Sequence, residues 1–108
     1  MSEVRFDLAE LPLGTIKVVE LNDEPIAVVN TAEGIFAVSD TCSHAEVSLS
    51  EGSLEGCLLE CWMHGAAFDV RTGEPTSPPA TRPIKTYPVR TEEHADRTEV
   101  VVTDEENL

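Results

Sequence analysis

Apolar and β-branched residues alternate along this chain with a period of two, and no stretch repeats apolar residues at i, i+3, i+4 and i+7 as an amphipathic helix must. A chain patterned in this way builds sheets. Thr15 to Leu21 and Pro25 to Thr31 flank Asn22-Asp23-Glu24, and Gly34 to Ser39 follows the Ala32-Glu33-Gly34 turn, which predicts an antiparallel meander. Val4 to Leu8 adds an edge strand, and Lys85 to Arg90 and Thr98 to Val102 form a further hairpin around Glu92 to Asp96. Asp104 to Leu108 reads as a frayed tail. The 108 residues leave room for one domain, 1–108, and the expectation is an all-β, antiparallel, sandwich-like base from residues 1–39 and 81–108.

From about Asp40 to Ala80 the texture changes. Gly52, Gly56, Gly65, Gly73, Pro75, Pro78 and Pro79 break the segment into short pieces, so it reads as a subdomain inserted on the meander, with side chains held on loops. Within it stand Cys42-Ser43-His44 and, after sixteen intervening residues, Cys61-Trp62-Met63-His64. Each loop offers a thiolate and an imidazole, and Gly65 gives the second loop the freedom to aim both at one centre. Three cysteines cannot all pair among themselves, and their spacing is not that of a small disulfide scaffold, so metal or redox chemistry is the better use for them. Four such ligands suit a closed tetrahedral zinc site or an iron-sulfur cluster.

Composition narrows the partners. Seven basic residues stand against 21 acidic ones, a formal charge of −14, which repels both phosphate backbones and anionic lipid surfaces. Nucleic acid and membrane are therefore set aside, and a basic protein surface becomes the natural partner for a brief, electrostatically steered encounter. No run of about 18 apolar residues exists, and Met1 to Arg5 lacks the basic and apolar regions of a signal peptide, which makes the cytoplasm the default location.

The order Cys-His then Cys-His departs from ordinary zinc spacings and resembles that of the Rieske ferredoxins, whose 2Fe-2S cluster has one iron on two cysteines and the other on two histidines. The resemblance extends through Glu10 to Gly14, Gly34 to Val38, Leu49-Ser50-Glu51-Gly52 and His64 to Gly73. It implies a Rieske fold holding one 2Fe-2S cluster, with Cys42 and Cys61 on the inner iron and His44 and His64 on the outer one. With two neutral imidazoles in place of two thiolates, the oxidised site is neutral and accepts an electron more readily than an all-thiolate cluster. Rieske potentials accordingly run from about −150 to about +300 mV.

Where the resemblance breaks is also informative. High-potential relatives carry a disulfide between the two loops, which Ala45, Glu46, Val47, Trp62 and Met63 do not supply. They also place hydroxyl donors where this chain has Ala66 and Phe68, and losing hydrogen bonds to the reduced cluster points to the low-potential end. Trp62 stands where Pro is common; it either packs over the cluster or, with Met63, forms an apolar docking contact. Thr76 to Ala80 corresponds to the Pro-containing third loop that shields the cluster. Cys57, beside Leu58 and Leu59, reads as a core residue rather than a ligand, and His94 as solvated decoration of a charged turn.

The resemblance implies a low-potential one-electron carrier, not itself an enzyme. It would be a monomer that passes electrons from a ferredoxin reductase to the terminal oxygenase of a bacterial aromatic-ring dioxygenase system by transient docking. The chain lacks the further ligands and the length for an oxygenase's mononuclear iron domain. The same domain also serves as the small subunit of a nitrite reductase or in a monooxygenase, and a zinc-stabilised interaction module is the reading from another class. Residues 40–80 hold seven acids against Arg71 alone, and Glu46, two residues past His44, is the acid expected to steer docking.

Overall fold

The computed structural model describes residues 3–41, 48–62, 67–76 and 83–104. Ten strands and two 3-10 turns account for its regular structure, and no α-helix occurs among the described residues. The strands are β1 (Glu3–Asp7), β2 (Ile16–Leu21), β3 (Glu24–Thr31), β4 (Gly34–Ser39), β5 (Ser53–Glu55), β6 (Leu58–Glu60), β7 (Ala67–Asp69), β8 (Thr86–Tyr87), β9 (Val89–Glu93) and β10 (Thr98–Thr103), with the 3-10 turns at Leu8–Glu10 and Leu49–Glu51. All pairings are antiparallel and fall into three sheets, β1-β10-β9, β2-β3-β4-β8 and β5-β6-β7. The all-β expectation holds.

The meander forms because its turns suit its residues. Leu21 pairs with Glu24, which leaves a two-residue turn in which Asn22 and Asp23 both take positive φ, the geometry that matches the right-handed twist of the flanking strands. β3 is then buried on both faces. Ile26 and Val28 join Phe6, Val100 and Val102 in the core between the β2-β3-β4-β8 and β1-β10-β9 sheets. Ala27 and Val29 pack on the opposite side with Leu59 and Phe68 of the small β5-β6-β7 sheet and with Val70 just after it. The four-stranded sheet is thus a middle layer, with the base sheet on one face and the inserted sheet on the other.

Two boundaries differ from the sequence reading. Lys85 to Arg90 is not one strand: Thr86 and Tyr87 pair with β4, whereas Val89 onward pairs with β10. Pro88 sits at the switch; it has no N–H to give to a ladder, and its carbonyl accepts from Thr103 N at 3.1 Å. The final hairpin also turns later than Glu92, since Glu92 and Glu93 remain in the ladder opposite Glu99 and Thr98, and the turn closes with His94 N donating to Arg97 O at 2.8 Å. The expected tail from Asp104 continues beyond the described residues after its first position.

Candidate metal centre

Of the four proposed ligands, Cys61 lies among the described residues, while Cys42, His44 and His64 lie outside them, as do Glu46, Met63, Ala66 and the Ser77 to Ala80 part of the third loop. Cys61 follows directly on β6 and is fully buried. Its thiol has no hydrogen-bond partner among the described residues. The other described thiol, Cys57, packs in the same core cluster, with Sγ 3.6 Å from Thr31 Oγ1 and its carbonyl accepting from Val70 N at 2.9 Å. Burial of this thiol at the end of β6 is compatible with a ligand position and equally with packing in the apolar cluster of Leu59 and Phe68.

The described residues also fix where each ligand loop begins and ends. Thr41 and Ser48 bridge to one another and close the mouth of the segment 42–47. Behind that bridge Asp40, only 2% exposed, is tied four ways. Its amide donates to Pro25 O at 3.1 Å, its carbonyl accepts from Leu49 N at 2.6 Å, and its carboxylate accepts from Ser50 N at 2.7 Å and Ser50 Oγ at 3.1 Å. A buried carboxylate placed in this way satisfies donors that the 3-10 turn would otherwise leave open.

Glu60 pairs with Ala67, so residues 61–66, including Cys61 and His64, form the connection of the β6-β7 hairpin. Gly52 joins the two loop bases. A Cβ there would stand 1.7 Å from Glu60 O and 3.2 Å from Trp62 N, so the backbone leaving the Asp40–Ser50 contact runs hard against the backbone around Cys61. The third loop is anchored in the same region: Thr76 N donates to Ala67 O at 2.8 Å, and Ile84 N returns to Gly73 O at 2.8 Å. Gly73 has φ of +81°, and a Cβ would lie 2.2 Å from Ile84 O.

Sequence reasoning missed the parts played by Asp40, Ser50 and Gly52. The available signal was Asp40 two residues before Cys42 together with Gly52 closing Leu-Ser-Glu, since a close backbone approach is a common reason for a glycine outside a left-handed turn. Trp62 is half exposed. Phe68, at the position where the resemblance places a tyrosine in high-potential relatives, is fully buried in the same apolar cluster as Cys61.

Electrostatics near the site are acidic. Asp69 is held below the usual carboxylate range by hydrogen bonding to Arg71, which also reaches Glu33 at 2.9 Å. His94, the histidine outside the ligand pattern, sits at the far hairpin with Nε2 3.1 Å from Glu99 Oε1. Glu92, His94 and Glu99 come together there on the exposed face of the base sheet, interleaved with arginines.

A buried free thiol, a glycine cradle pressed against its loop, and a donor set of two thiolates and two imidazoles fit an iron-sulfur cluster. Comparisons with known proteins point the same way. Residues 4–88 match the Rieske [2Fe-2S] domain. The chain is 41% identical over 86 residues to "Ferredoxin CarAc" of Metapseudomonas resinovorans, covering 79% of this chain and 80% of that one. It is 43% identical to the biphenyl dioxygenase ferredoxin subunit of Pseudomonas sp. strain KKS102, covering 77% of each. Among solved structures it superimposes with a TM-score of 0.86, at 37% identity, on a chain from the complex of reduced oxygenase and oxidised ferredoxin in carbazole 1,9a-dioxygenase, covering 98% of this chain and 96% of that one. The chain belongs to the Rieske [2Fe-2S] family and groups with the ferredoxin components of multicomponent dioxygenases.

Proposed function

We propose that this protein is a low-potential, one-electron carrier that takes electrons from a reductase and delivers them to the terminal oxygenase of an aromatic-ring dioxygenase system. The observation that carries the reading is the likeness to dioxygenase ferredoxin components over most of the chain. Cys42 and Cys61 bind one iron and His44 and His64 the other in a single 2Fe-2S cluster, within one domain whose residues 40–80 form the cluster-binding part. The cluster supplies a site that is neutral when oxidised and singly negative when reduced.

The chain's own residues do the rest. Burial of Cys61 keeps water from its sulfur, and the Asp40–Ser50 tie with Gly52 sets the separation of the two loops without a disulfide. Phe68 offers no hydroxyl to a cluster sulfur, which supports the low potential. A monomeric carrier working in the cytoplasm by brief encounters accords with the acidic charge and with the absence, among the described residues, of any helix long and apolar enough to cross a membrane.

Iron and acid-labile sulfide analysis of anaerobically purified protein, paired with electron paramagnetic resonance after dithionite reduction, tests the reading. Two irons and two sulfides per chain with a reduced-state signal that changes in His44→Cys and His64→Cys are the expected result. One zinc and a colourless protein would overturn it.

A further inference from the structure

Asp40 is the one charged side chain buried among the described residues. Its two carboxylate oxygens accept from neutral donors, Oδ1 from Ser50 N at 2.7 Å and Oδ2 from Ser50 Oγ at 3.1 Å, and no ion pair joins it to a cation among the described residues. Asp69 provides the contrast, since Arg71 lies against it at 2.8 Å and cancels its charge. Burying an ionised carboxylate without a counter-ion is costly, and the tie between residues 40 and 50 does not require one. The carbonyl oxygen of an asparagine would accept from Ser50 N equally well and bring no charge inside.

The charge has a definite place in the fold. Asp40 stands two positions before the proposed ligand Cys42, a span that extended chain covers in about 7 Å. The Leu49–Glu51 turn that it holds ends in Gly52, which presses against the backbone of Glu60 and Trp62 on either side of Cys61, and Leu49 and Cys61 share one apolar cluster. Asp40 therefore lies between the base of the first ligand loop and the contact that positions the second. In such dry surroundings a charge acts more strongly than it does through water.

We infer that Asp40 is a potential-setting residue, whose buried and uncompensated negative charge opposes entry of the electron and holds the centre at low potential. The inference rests on the carrier reading above. One electron, supplied by the reductase, turns a neutral site singly negative with no bond made or broken, and a fixed negative charge nearby disfavours that product relative to the oxidised site. The exposed acids of the chain have the same sign, but water and salt screen them. Ser50 moderates the effect, because its two hydrogen bonds stabilise the carboxylate's charge where it lies.

The test is spectroelectrochemical titration of the iron-loaded protein, with iron and sulfide content and the electron paramagnetic resonance spectrum of the reduced state as controls. Asp40→Asn is expected to shift the midpoint potential upward at parental iron content and with a parental resonance spectrum. The shift should persist from about 10 mM to about 1 M sodium chloride, across which the screening length falls from about 30 Å to about 3 Å. Ser50→Ala, which keeps the charge and removes one of its hydrogen bonds, should move the potential the other way, and should do nothing when added to Asp40→Asn. Glu51→Gln, an exposed acid of the same turn, should give a smaller upward shift that salt abolishes. A merely structural tie would move Asp40→Asn and Ser50→Ala in the same direction, and that result, or a parental potential in Asp40→Asn, overturns the inference while the carrier reading stands. If Asp40→Asn assembles no cluster, Ser50→Ala decides alone, and an unchanged or raised potential in it overturns the inference. If the parent itself holds no iron or takes up no electron reversibly, the carrier reading fails and the inference goes with it.

Discussion

A methyl group at position 52 would overlap the Glu60 carbonyl oxygen, and neither that backbone nor the neighbouring Trp62 amide can give way without moving Cys61. Gly52→Ala is therefore expected to cost about 3 kcal/mol through overpacking against backbone, a Tm loss of about 12 °C or more in a domain of this size, together with reduced iron content. Gly56 is the internal comparison. Its φ is +59°, but nothing lies within 4 Å of the place an alanine methyl would take, so Gly56→Ala should cost only about 1 kcal/mol, the strain of a left-handed alanine, and keep full iron. Thermal unfolding and iron analysis of the two variants distinguish close approach from conformational freedom. Equal losses in both would mean that the contact between the loop bases does not control the site. Asp40 illustrates a different kind of constraint at this scale: an acidic residue in a chain of 21 acids reads as surface, and only its two bonds from Ser50, ten residues on, explain its burial.

At the scale of elements, β1 is tied to the rest of its sheet by Arg5, whose guanidinium donates to Glu92 of β9 at 2.7 Å and to Glu3 at 2.7 Å. Arg5, and after it Arg90, hold the Glu92 carboxyl below its ordinary value of 4.5. A folded value below the unfolded one means that the ionised pair stabilises the sheet above the unfolded pKa, and that this contribution is lost as pH falls from about 4.5 through the folded value. Denaturant titrations between about pH 6 and about pH 3 should show Glu92→Gln lying below the parent at the upper end and converging with it at the lower. A constant gap would show that the variant's loss is packing and not charge. The same scale shows what sequence could and could not reveal. β2, β3, β4 and β10 are each at least six residues long, enough for alternation or a continuous buried run to be seen. β5, β6 and β7 have three residues each and send one side chain apiece, Leu54, Leu59 and Phe68, into the core, which is too little periodicity to read. The split at Pro88 was hidden because a proline between two short extended segments is compatible with one edge strand as well as with a change of sheet. The Cys61–His64 spacing stands out in the sequence because a proposed ligand pair leaves a pattern there, whereas a backbone contact such as that of Gly52 leaves none.

For the molecule as a whole, ion pairs and net charge respond to salt in opposite directions. Arg5, Lys17, Arg71, Arg90 and Arg97 are all engaged with carboxylates, and screening weakens each of these exposed contacts. Against them stands a formal charge of −14, concentrated in acids that the few cations cannot match, and screening relieves their mutual repulsion in the compact state. Each exposed pair is worth about 0.2–1 kcal/mol at most and several share one arginine, so the pairs lose little. The repulsion is the larger effect because it sums over every unmatched carboxylate within a Debye length, and folding brings them closer than they are in the extended chain. Raising sodium chloride from about 10 mM to about 150 mM, where the screening length falls from about 30 Å to about 8 Å, should therefore raise Tm, by about 4–8 °C if the net gain is about 1 kcal/mol. Scanning calorimetry at fixed scan rate, repeated in potassium chloride to separate screening from ion-specific effects, measures this. The double variant Glu55→Lys/Glu60→Lys, which replaces two unmatched acids of one face with cations, should start from a higher Tm at low salt and gain less from added salt. A parent Tm that falls with salt would show instead that the arginine pairs of the base sheet, and not the unmatched acids, dominate the electrostatic balance of the fold.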